Sequence, residues 1–206
     1  MPYEVIKVDE GQTVPASTEN AAGLCFMGGP MSVNDDLPWI EPVLALIRDA
    51  ITKNIPVIGH CLGGQLMSKA MGGMVSSNPI KEIGWGSVRS VDGAAAEWLG
   101  DTQEFEAFHW HGETFSIPTG ATRILASGYC DNQAFVLGPH LSMQCHVEMT
   151  QEMIREWCEH WQQEGAAEGP SVLTPAQIFE RMDARIAAMR GVSDRLYSRW
   201  ITGLVR

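Results

Sequence analysis

The stretch Gly59-His60-Cys61-Leu62-Gly63-Gly64-Gln65 places a cysteine at a predicted turn between a strand and a helix. A short apolar run at residues 55–58 precedes it, and residues 62–71 have the pattern of a helix that two glycines end. Such a turn is tight and strained, so it requires small side chains at the positions that Gly59 and Gly63 occupy. Because residues 39–53 predict an amphipathic helix before the strand, the stretch indicates an α/β fold.

Cys61 stands at the first turn of the predicted helix, where the positive end of the helix dipole favours a thiolate over a thiol. This position indicates a nucleophilic cysteine. The alternative is a buried cysteine that only packs, which is the usual role of a lone cysteine in such a turn. A thiol that does chemistry also needs a base and a group that orients the base.

Residues 141–148, with the sequence Leu-Ser-Met-Gln-Cys-His-Val-Glu, offer that base and that orienting group. Alternation along a strand and its exit puts His146 and Glu148 on one side of the chain. The imidazole can take the thiol proton of Cys61 while the carboxylate fixes the imidazole tautomer. A structural histidine is the alternative for a lone histidine near a strand end. The combination with the cysteine turn favours catalysis.

A glycine-rich loop is the third element of the pattern. Residues 23–27 predict an apolar strand that runs into residues 28–32, Gly-Gly-Pro-Met-Ser. Acyl transfer needs hydrogen-bond donors aimed at the oxyanion of the tetrahedral intermediate. The backbone N–H of Gly29 and that of Leu62, directly after the cysteine, are the candidate donors. An ordinary turn is the alternative reading of the glycines.

These motifs, in this order, resemble the class I glutamine amidotransferase family. Residues 108–115, Phe-His-Trp-His-Gly-Glu-Thr-Phe, are most similar to stand-alone members that resemble the amidotransferase domain of GMP synthase. The resemblance implies a flavodoxin-like, three-layer α/β domain with a mainly parallel sheet and a C-terminal helical extension.

The resemblance also implies the chemistry. In the family, the nucleophile attacks the side-chain amide of glutamine, releases ammonia and leaves a γ-glutamyl thioester that water hydrolyses. By resemblance, Cys61 is the nucleophile, His146 the base and Glu148 its orienting acid. Gln65, one helical turn after the cysteine, helps to hold the substrate. Neither a metal nor an organic cofactor is implied.

Two features depart from the family pattern. Val147 stands where the family commonly has proline, and since that proline does no chemistry we expect His146 and Glu148 to keep their roles. Residues 2–9 resemble the family's second strand, so the first strand and helix are expected to be missing through an N-terminal truncation. In a flavodoxin-like order, their absence would leave an unpaired slot inside the sheet.

We predict a class I glutamine amidotransferase-like domain at residues 1–150 and a C-terminal helical extension, packed on it, at residues 151–206. Within the extension, Thr174-Pro175-Ala176-Gln177 resembles a capping box that begins a helix running to Arg190. Gly191 is expected to end this helix, and residues 194–204 predict a final short one. A homodimer or a partner-binding surface is the alternative use of these helices.

Composition indicates which partners and which cellular compartment to expect. The chain has 206 residues, a hydrophobic content of 45% and a net charge of −11, which argues against a general nucleic-acid surface. No leader-like segment and no apolar run of membrane-spanning length is found. Five cysteines without paired spacing fit a reducing compartment. We therefore expect a cytoplasmic protein that binds neither nucleic acid nor membranes.

His109 and His111 alternate on a predicted strand, a spacing that some metal sites use. Two ligands do not make a site, and the motif holds no third one, so we predict no metal. Trp110 and Glu113 are expected near the active-site cleft instead. His60, next to the cysteine, is expected to be structural.

Three functions fit the sequence. The first is hydrolysis of glutamine that supplies ammonia to a separate synthetase subunit, since the chain has no P-loop motif of its own. The second is a γ-glutamyl peptidase or hydrolase, which would use the same thioester on a γ-glutamyl conjugate. The third is a non-catalytic remnant that serves as an interaction module and performs no thiol chemistry.

Overall fold

The computed structural model describes residues 2–91, 93–164 and 168–204, apart from the side chains of residues 161–164. The strands are β1 Leu24–Phe26, β2 Val57–His60, β3 Val75–Ser90, β4 Glu104–Phe115, β5 Thr122–Ser127, β6 Ala134–Leu137 and β7 His140–Met143. The helices are α1 Ile40–Thr52, α2 Leu62–Ala70, α3 Ala95–Leu99, α4 Gln151–Glu164, α5 Pro175–Phe179 and α6 Met182–Thr202, with a 3-10 helix at Val8–Glu10.

The strands form one sheet in the order β1-β2-β7-β6-β5-β3-β4. Only the β1–β2 and β2–β7 pairs are parallel, and the other four pairs are antiparallel. The expectation of a mainly parallel sheet is therefore wrong, and the sheet is mixed. After α2 the chain continues through the long β3–β4 hairpin and the β5–β6–β7 meander, neither of which needs the helical crossover that parallel neighbours require.

Helices cover both faces of this sheet, which confirms the α/β fold class. Alternation in β2 sends Val57 into a core shared with α1 and α2, and Ile58 into a core shared with α3 to α6. The parallel strands β1, β2 and β7 therefore lie in the middle layer with their carboxyl ends at one edge. This edge is where ligands bind in open α/β sheets.

The last two helices differ from the prediction. The capping box at Thr174 and Gln177 is confirmed, but helix α5 ends at Phe179 and Arg181 takes a left-handed conformation with φ of 55°. Helix α6 then passes through Gly191 without interruption. A glycine inside a helix costs about 1 kcal/mol. Burial of a continuous stripe that includes Met189 and Leu196 outweighs that cost.

The opening of the chain is also different from the prediction. Residues 2–9 form no strand, and Val5 is 64% exposed. Within the described part of the chain, the seven strands form a continuous sheet without the expected slot, and β1 is an edge strand. None of the helices described is both long and apolar enough to cross a membrane.

The C-terminal helices pack against the sheet. Ile154 of α4 and Leu196 of α6 are fully buried and share one core with Ile58 of β2. The division into a domain at residues 1–150 and an extension at residues 151–206 stays a prediction. Residues 165–167, 205 and 206 of that extension lie outside the described part of the chain.

Candidate active site

Cys61 lies between β2 and α2 in a strained conformation, with φ of 50° and ψ of −108°. An L-residue adopts a positive φ at a cost of about 1–3 kcal/mol, so the surroundings must impose it. A β-carbon on Gly59 would lie 2.6 Å from the carbonyl of Gly63, and one on Gly63 would lie 2.2 Å from the carbonyl oxygen of Phe26. Both positions therefore exclude any side chain, as the sequence predicts.

The turn is anchored to β7, an interior strand of the sheet that pairs with β2. The backbone N–H of Cys61 donates to the carbonyl of Met143 at the end of β7, at 2.8 Å. A β-carbon on Gly64 would lie 2.4 Å from that same carbonyl oxygen, so helix α2 begins directly against β7. The Cys61 side chain is consequently placed at the end of β7, where the chain continues toward His146.

His146 and Glu148 follow β7 in a bend and do not continue the strand. They still converge, because Nδ1 of His146 lies 2.5 Å from Oε1 of Glu148. The backbone of His146 pairs with Phe108 of β4 through two hydrogen bonds of 2.8 and 3.1 Å, and the His146 ring contacts Trp157 edge-on at 5.1 Å. The imidazole is thus fixed in position by β4 and α4.

The His146 imidazole also interacts with the thiol of Cys61. Nε2 of His146 is buried and has no hydrogen-bond partner among the residues described. A β-carbon on Gly28 would lie 3.2 Å from Cε1 of His146 and 3.6 Å from Cβ of Cys61, which brings both side chains to one point beside the glycine-rich loop. This geometry puts the imidazole where it can exchange a proton with the thiol.

Charges at the site are coupled. Burial by itself would lower the pKa of His146, but the carboxylate of Glu148 and the thiol of Cys61 favour the imidazolium and raise that pKa. Burial would raise the pKa of Glu148, but His146 and His60 hold it well below the ordinary value. Glu148 is therefore ionised at neutral pH and supports a positive charge on His146.

The four thiols outside this site stay protonated at neutral pH. Loss of solvation raises the pKa of each of them, although the Cys25 residue as a whole is exposed. These four are Cys25, Cys130, Cys145 and Cys158. Within the chain as described, Cys61 is the thiol that has a histidine–carboxylate pair beside it.

Two further groups hold Glu148. Its Oε2 accepts a hydrogen bond of 2.9 Å from the backbone N–H of Val147, a donor that proline would lack. The Nδ1 atom of His60 lies 3.2 Å from the same oxygen, close but not aligned for a hydrogen bond, and Nε2 of His60 lies 3.1 Å from the hydroxyl of Tyr197. His60 therefore connects the carboxylate to helix α6. The motif sequence gave no signal of this contact, because Tyr197 is 137 residues away.

Gln65 and a residue that sequence reasoning missed, Gln144, lie beside the thiol. Nε2 of Gln65 donates to Oε1 of Gln144 at 3.1 Å, and Nε2 of Gln144 lies 3.5 Å from Sγ of Cys61. Both amides are buried. Gln144 precedes His146 by two residues, so the alternation that grouped His146 with Glu148 already indicated it.

The predicted oxyanion donors are neighbours. A β-carbon on Gly29 would lie 3.0 Å from Cδ2 of Leu62, so the glycine-rich loop packs on the first turn of α2. The N–H of Leu62 belongs to that first turn, where helix N–H groups lack intrahelical partners. Ser32 of the same loop donates to Oε1 of Glu113 at 3.0 Å, which ties the loop to β4.

Comparisons with known proteins show the family of the chain. The family model described as glutamine amidotransferase class-I matches residues 1–156. The glutamine amidotransferase-like protein YfeJ of Salmonella typhimurium is 30% identical over 166 residues, which are 77% of this chain and 70% of that protein. A GMP synthase (glutamine-hydrolyzing) of Corynebacterium jeikeium is 35% identical over 117 residues, 53% of this chain but only 21% of that enzyme.

Solved structures give the same result. The crystal structure of a glutamine amidotransferase from Methylobacillus flagellatus superposes with a TM-score of 0.96 and 48% identity, covering 100% of this chain and 86% of that one. A glutamine amidotransferase from Thermotoga maritima superposes with a TM-score of 0.83 and 26% identity, covering 95% of this chain and 85% of that one. The chain belongs to the class I glutamine amidotransferase family.

Proposed function

We propose that this protein hydrolyses the side-chain amide of glutamine to glutamate and ammonia through a thioester on Cys61. The observation that carries the proposal is the convergence of three groups. The Cys61 thiol stands on a strained turn, the buried imidazole of His146 lies beside it, and Nδ1 of His146 lies 2.5 Å from Oε1 of Glu148. This is the arrangement of a nucleophile, its base and the group that orients the base.

The first half of the reaction forms the thioester. With the thiol proton held on Nε2 of the His146 imidazolium, the sulfur of Cys61 attacks the amide carbon. The N–H groups of Gly29 and Leu62 are the proposed donors to the resulting oxyanion. Collapse of the tetrahedral intermediate breaks the C–N bond, and the His146 imidazolium gives its proton to the departing ammonia.

The second half regenerates the enzyme. Water gives a proton to His146 as it attacks the thioester carbon, and the C–S bond then breaks. Glutamate leaves, and the proton held on His146 returns to the sulfur of Cys61. Glu148, held by Val147 and close to His60, supports the imidazolium in both halves.

We also propose how the substrate is bound and what uses the ammonia. Gln65 is proposed to act through Gln144, which lies between it and the sulfur, and the pair would position the substrate amide. A separate synthetase subunit is the proposed ammonia acceptor. The similarity to the GMP synthase of Corynebacterium jeikeium supports that proposal. This chain matches 21% of the length of that enzyme, so under this proposal a separate protein uses the ammonia.

The test compares wild-type protein with Cys61→Ser and, as a control for a buried thiol elsewhere, Cys158→Ser. Each protein is incubated with glutamine and with a small panel of γ-glutamyl conjugates, and the intact mass is measured after acid quenching. We expect a γ-glutamyl adduct on Cys61 and release of glutamate in the wild type and in Cys158→Ser only. Activity on conjugates without activity on glutamine would establish the peptidase instead. Absence of activity on glutamine and on the conjugates would support the non-catalytic interaction module instead.

A further inference from the structure

A second group of chemically active side chains lies on strands β3 and β4. Glu82, His109, His111 and Gln133 are each at least 94% buried, and the ligand atoms of the first three all lie within 4.8 Å of one another. Strand register produces this cluster, since Glu82 pairs directly with His111 and alternation puts His109 on the same face. A β-carbon on Gly86 would lie 2.9 Å from the His109 ring, so a glycine there makes room for the imidazole.

Backbone carbonyls determine which imidazole nitrogens face the cluster. Nδ1 of His111 lies 3.0 Å from the carbonyl of Glu113, and Nε2 of His109 lies 3.4 Å from the carbonyl of Gly86. A carbonyl only accepts, so each of these nitrogens carries a hydrogen and the opposite nitrogen presents a lone pair. Those lone pairs, on Nε2 of His111 and Nδ1 of His109, point into the cluster. Metal-binding histidines are oriented in the same way by their outer N–H groups.

The cluster therefore has more hydrogen-bond acceptors than hydrogens to donate to them. Nε2 of His111 lies 3.1 Å from Oε2 of Glu82, and two lone pairs at this distance repel unless a positive charge lies between them. The side-chain amide of Gln133 has two hydrogens, while its nitrogen lies 2.7 Å from Glu82, 3.4 Å from each imidazole and 3.2 Å from Ser127. Meanwhile, Oε1 of Gln133 is buried without a hydrogen-bond partner among the residues described.

We propose that Glu82, His109 and His111 bind a divalent transition-metal ion of the zinc type. A half-turn of the Gln133 amide would present its oxygen as the fourth ligand. A tetrahedron with bonds of about 2.0–2.1 Å has edges of about 3.3–3.4 Å. The Gln133 position lies 3.4 Å from each imidazole and His111 lies 3.1 Å from Glu82, whereas Gln133 and Glu82, at 2.7 Å, would move apart around an ion. Two imidazoles favour zinc over magnesium or calcium, which prefer oxygen ligands only.

This metal site is separate from the cysteine site but shares strand β4 with it. Phe108, the residue before His109, forms both backbone hydrogen bonds to His146, and the carbonyl of Trp110 lies 3.9 Å from Sγ of Cys61. An ion held by four buried protein ligands leaves no open position for substrate, so its role is structural. It would fix the β4 segment that positions the base and contacts the nucleophile.

The first test uses the wild-type full chain and does not depend on a variant folding. The protein is stripped with a chelator and titrated with cobalt(II), and then with zinc. We expect the visible absorption of tetrahedral cobalt to saturate at about one ion per chain and zinc to displace it. The alternative is a metal-free cluster in which His111 and Glu82 pair directly. Absence of tetrahedral absorption, or binding that fails to saturate near one ion, would establish that alternative.

The second test assigns the ligands. Zinc content after dialysis is measured for Glu82→Gln and His111→Gln, with His140→Gln as the matched control, because His140 is also buried but belongs to β7. We expect about one zinc per chain in the wild type and the control, and below about a tenth in both ligand variants. Circular dichroism checks that each variant is folded. Folded ligand variants that retain wild-type zinc would overturn the assignment.

Discussion

Cys61 keeps its positive φ because close backbone contacts on both sides of the turn fix its conformation. We predict that Gly63→Ala disrupts this turn, since the new methyl group would lie 2.2 Å from the carbonyl oxygen of Phe26. The expected loss is about 2–4 kcal/mol in the free energy of unfolding, together with loss of activity. Urea denaturation measures the stability of the variant.

Gly191→Ala is the matched control for this prediction. Gly191 lies inside α6, and a β-carbon there would meet no atom within 4 Å. Alanine should therefore stabilise the protein by up to about 1 kcal/mol. Equal effects of the two substitutions would show that the account of the turn is wrong.

The His146–Glu148 pair predicts a pH dependence of stability. The folded pKa of Glu148 is lowered, so its contribution is complete above the ordinary pKa of about 4.5 and is lost as pH falls further. The folded pKa of His146 is raised, so its contribution is complete below about 6.5 and is lost as pH rises through the folded value. Both contributions are therefore complete between about pH 4.5 and 6.5.

We expect Glu148→Gln to lower the free energy of unfolding by about 3–5 kcal/mol in that window, because it leaves a buried imidazolium without its partner. The difference from the wild type should shrink on both sides of the window. Urea denaturation at several pH values measures it. A difference that does not change with pH would mean that the pair is not ionised in the folded protein.

At the scale of residues, much of the candidate site could be predicted from the sequence. Cys61, His146 and Glu148 carry recognisable spacing, and the structure brings them together. Gln144 could have been found by the same alternation. The contact of His60 with Glu148 and Tyr197 could not, because it depends on where the C-terminal helix lies.

At the scale of elements, the hydroxyl and the ring of Tyr197 connect α6 to His60 of the candidate site. We predict that Tyr197→Phe lowers kcat by about twofold to tenfold, because the lost hydrogen bond leaves Nε2 of His60 buried without its partner. Tyr129→Phe is the control, since the hydroxyl of Tyr129 lies on the exposed surface 3.5 Å from the carbonyl of Pro170. Steady-state glutamine hydrolysis measures the effect, and identical kcat values for both variants would exclude a positioning role for Tyr197.

Element boundaries were predicted less well than the motifs. Gly191 was expected to end a helix, but intrinsic propensity is worth about 1 kcal/mol and burial of an apolar stripe outweighs it. The mixed sheet was also missed. Strand direction depends on whether each connection crosses over or turns back, and the apolar pattern of a strand does not encode this.

At the scale of the whole molecule, one core joins the C-terminal helices to β2. We predict that Ile154→Ala destabilises the entire protein by about 2–5 kcal/mol, because this side chain is fully buried between α4 and the sheet. The unfolding midpoint in denaturant should decrease equally when it is measured by hydrogen exchange of the β2 amides and by helical circular dichroism. Ile201→Ala, at a 51% exposed position, should change the stability by less than about 0.5 kcal/mol. Two separate transitions would indicate that residues 151–206 unfold alone.

The family could be predicted from three motifs in order, and the match over residues 1–156 confirms it. The predicted slot inside the sheet was wrong because it assumed that residues 2–9 form a strand. The most direct test of the proposed hydrolysis uses glutamine labelled with 15N at its side-chain amide. We predict labelled ammonium from the wild type and at least about a thousandfold less from Cys61→Ser. Equal release from the two proteins, or none from the wild type, would contradict a reaction that depends on Cys61.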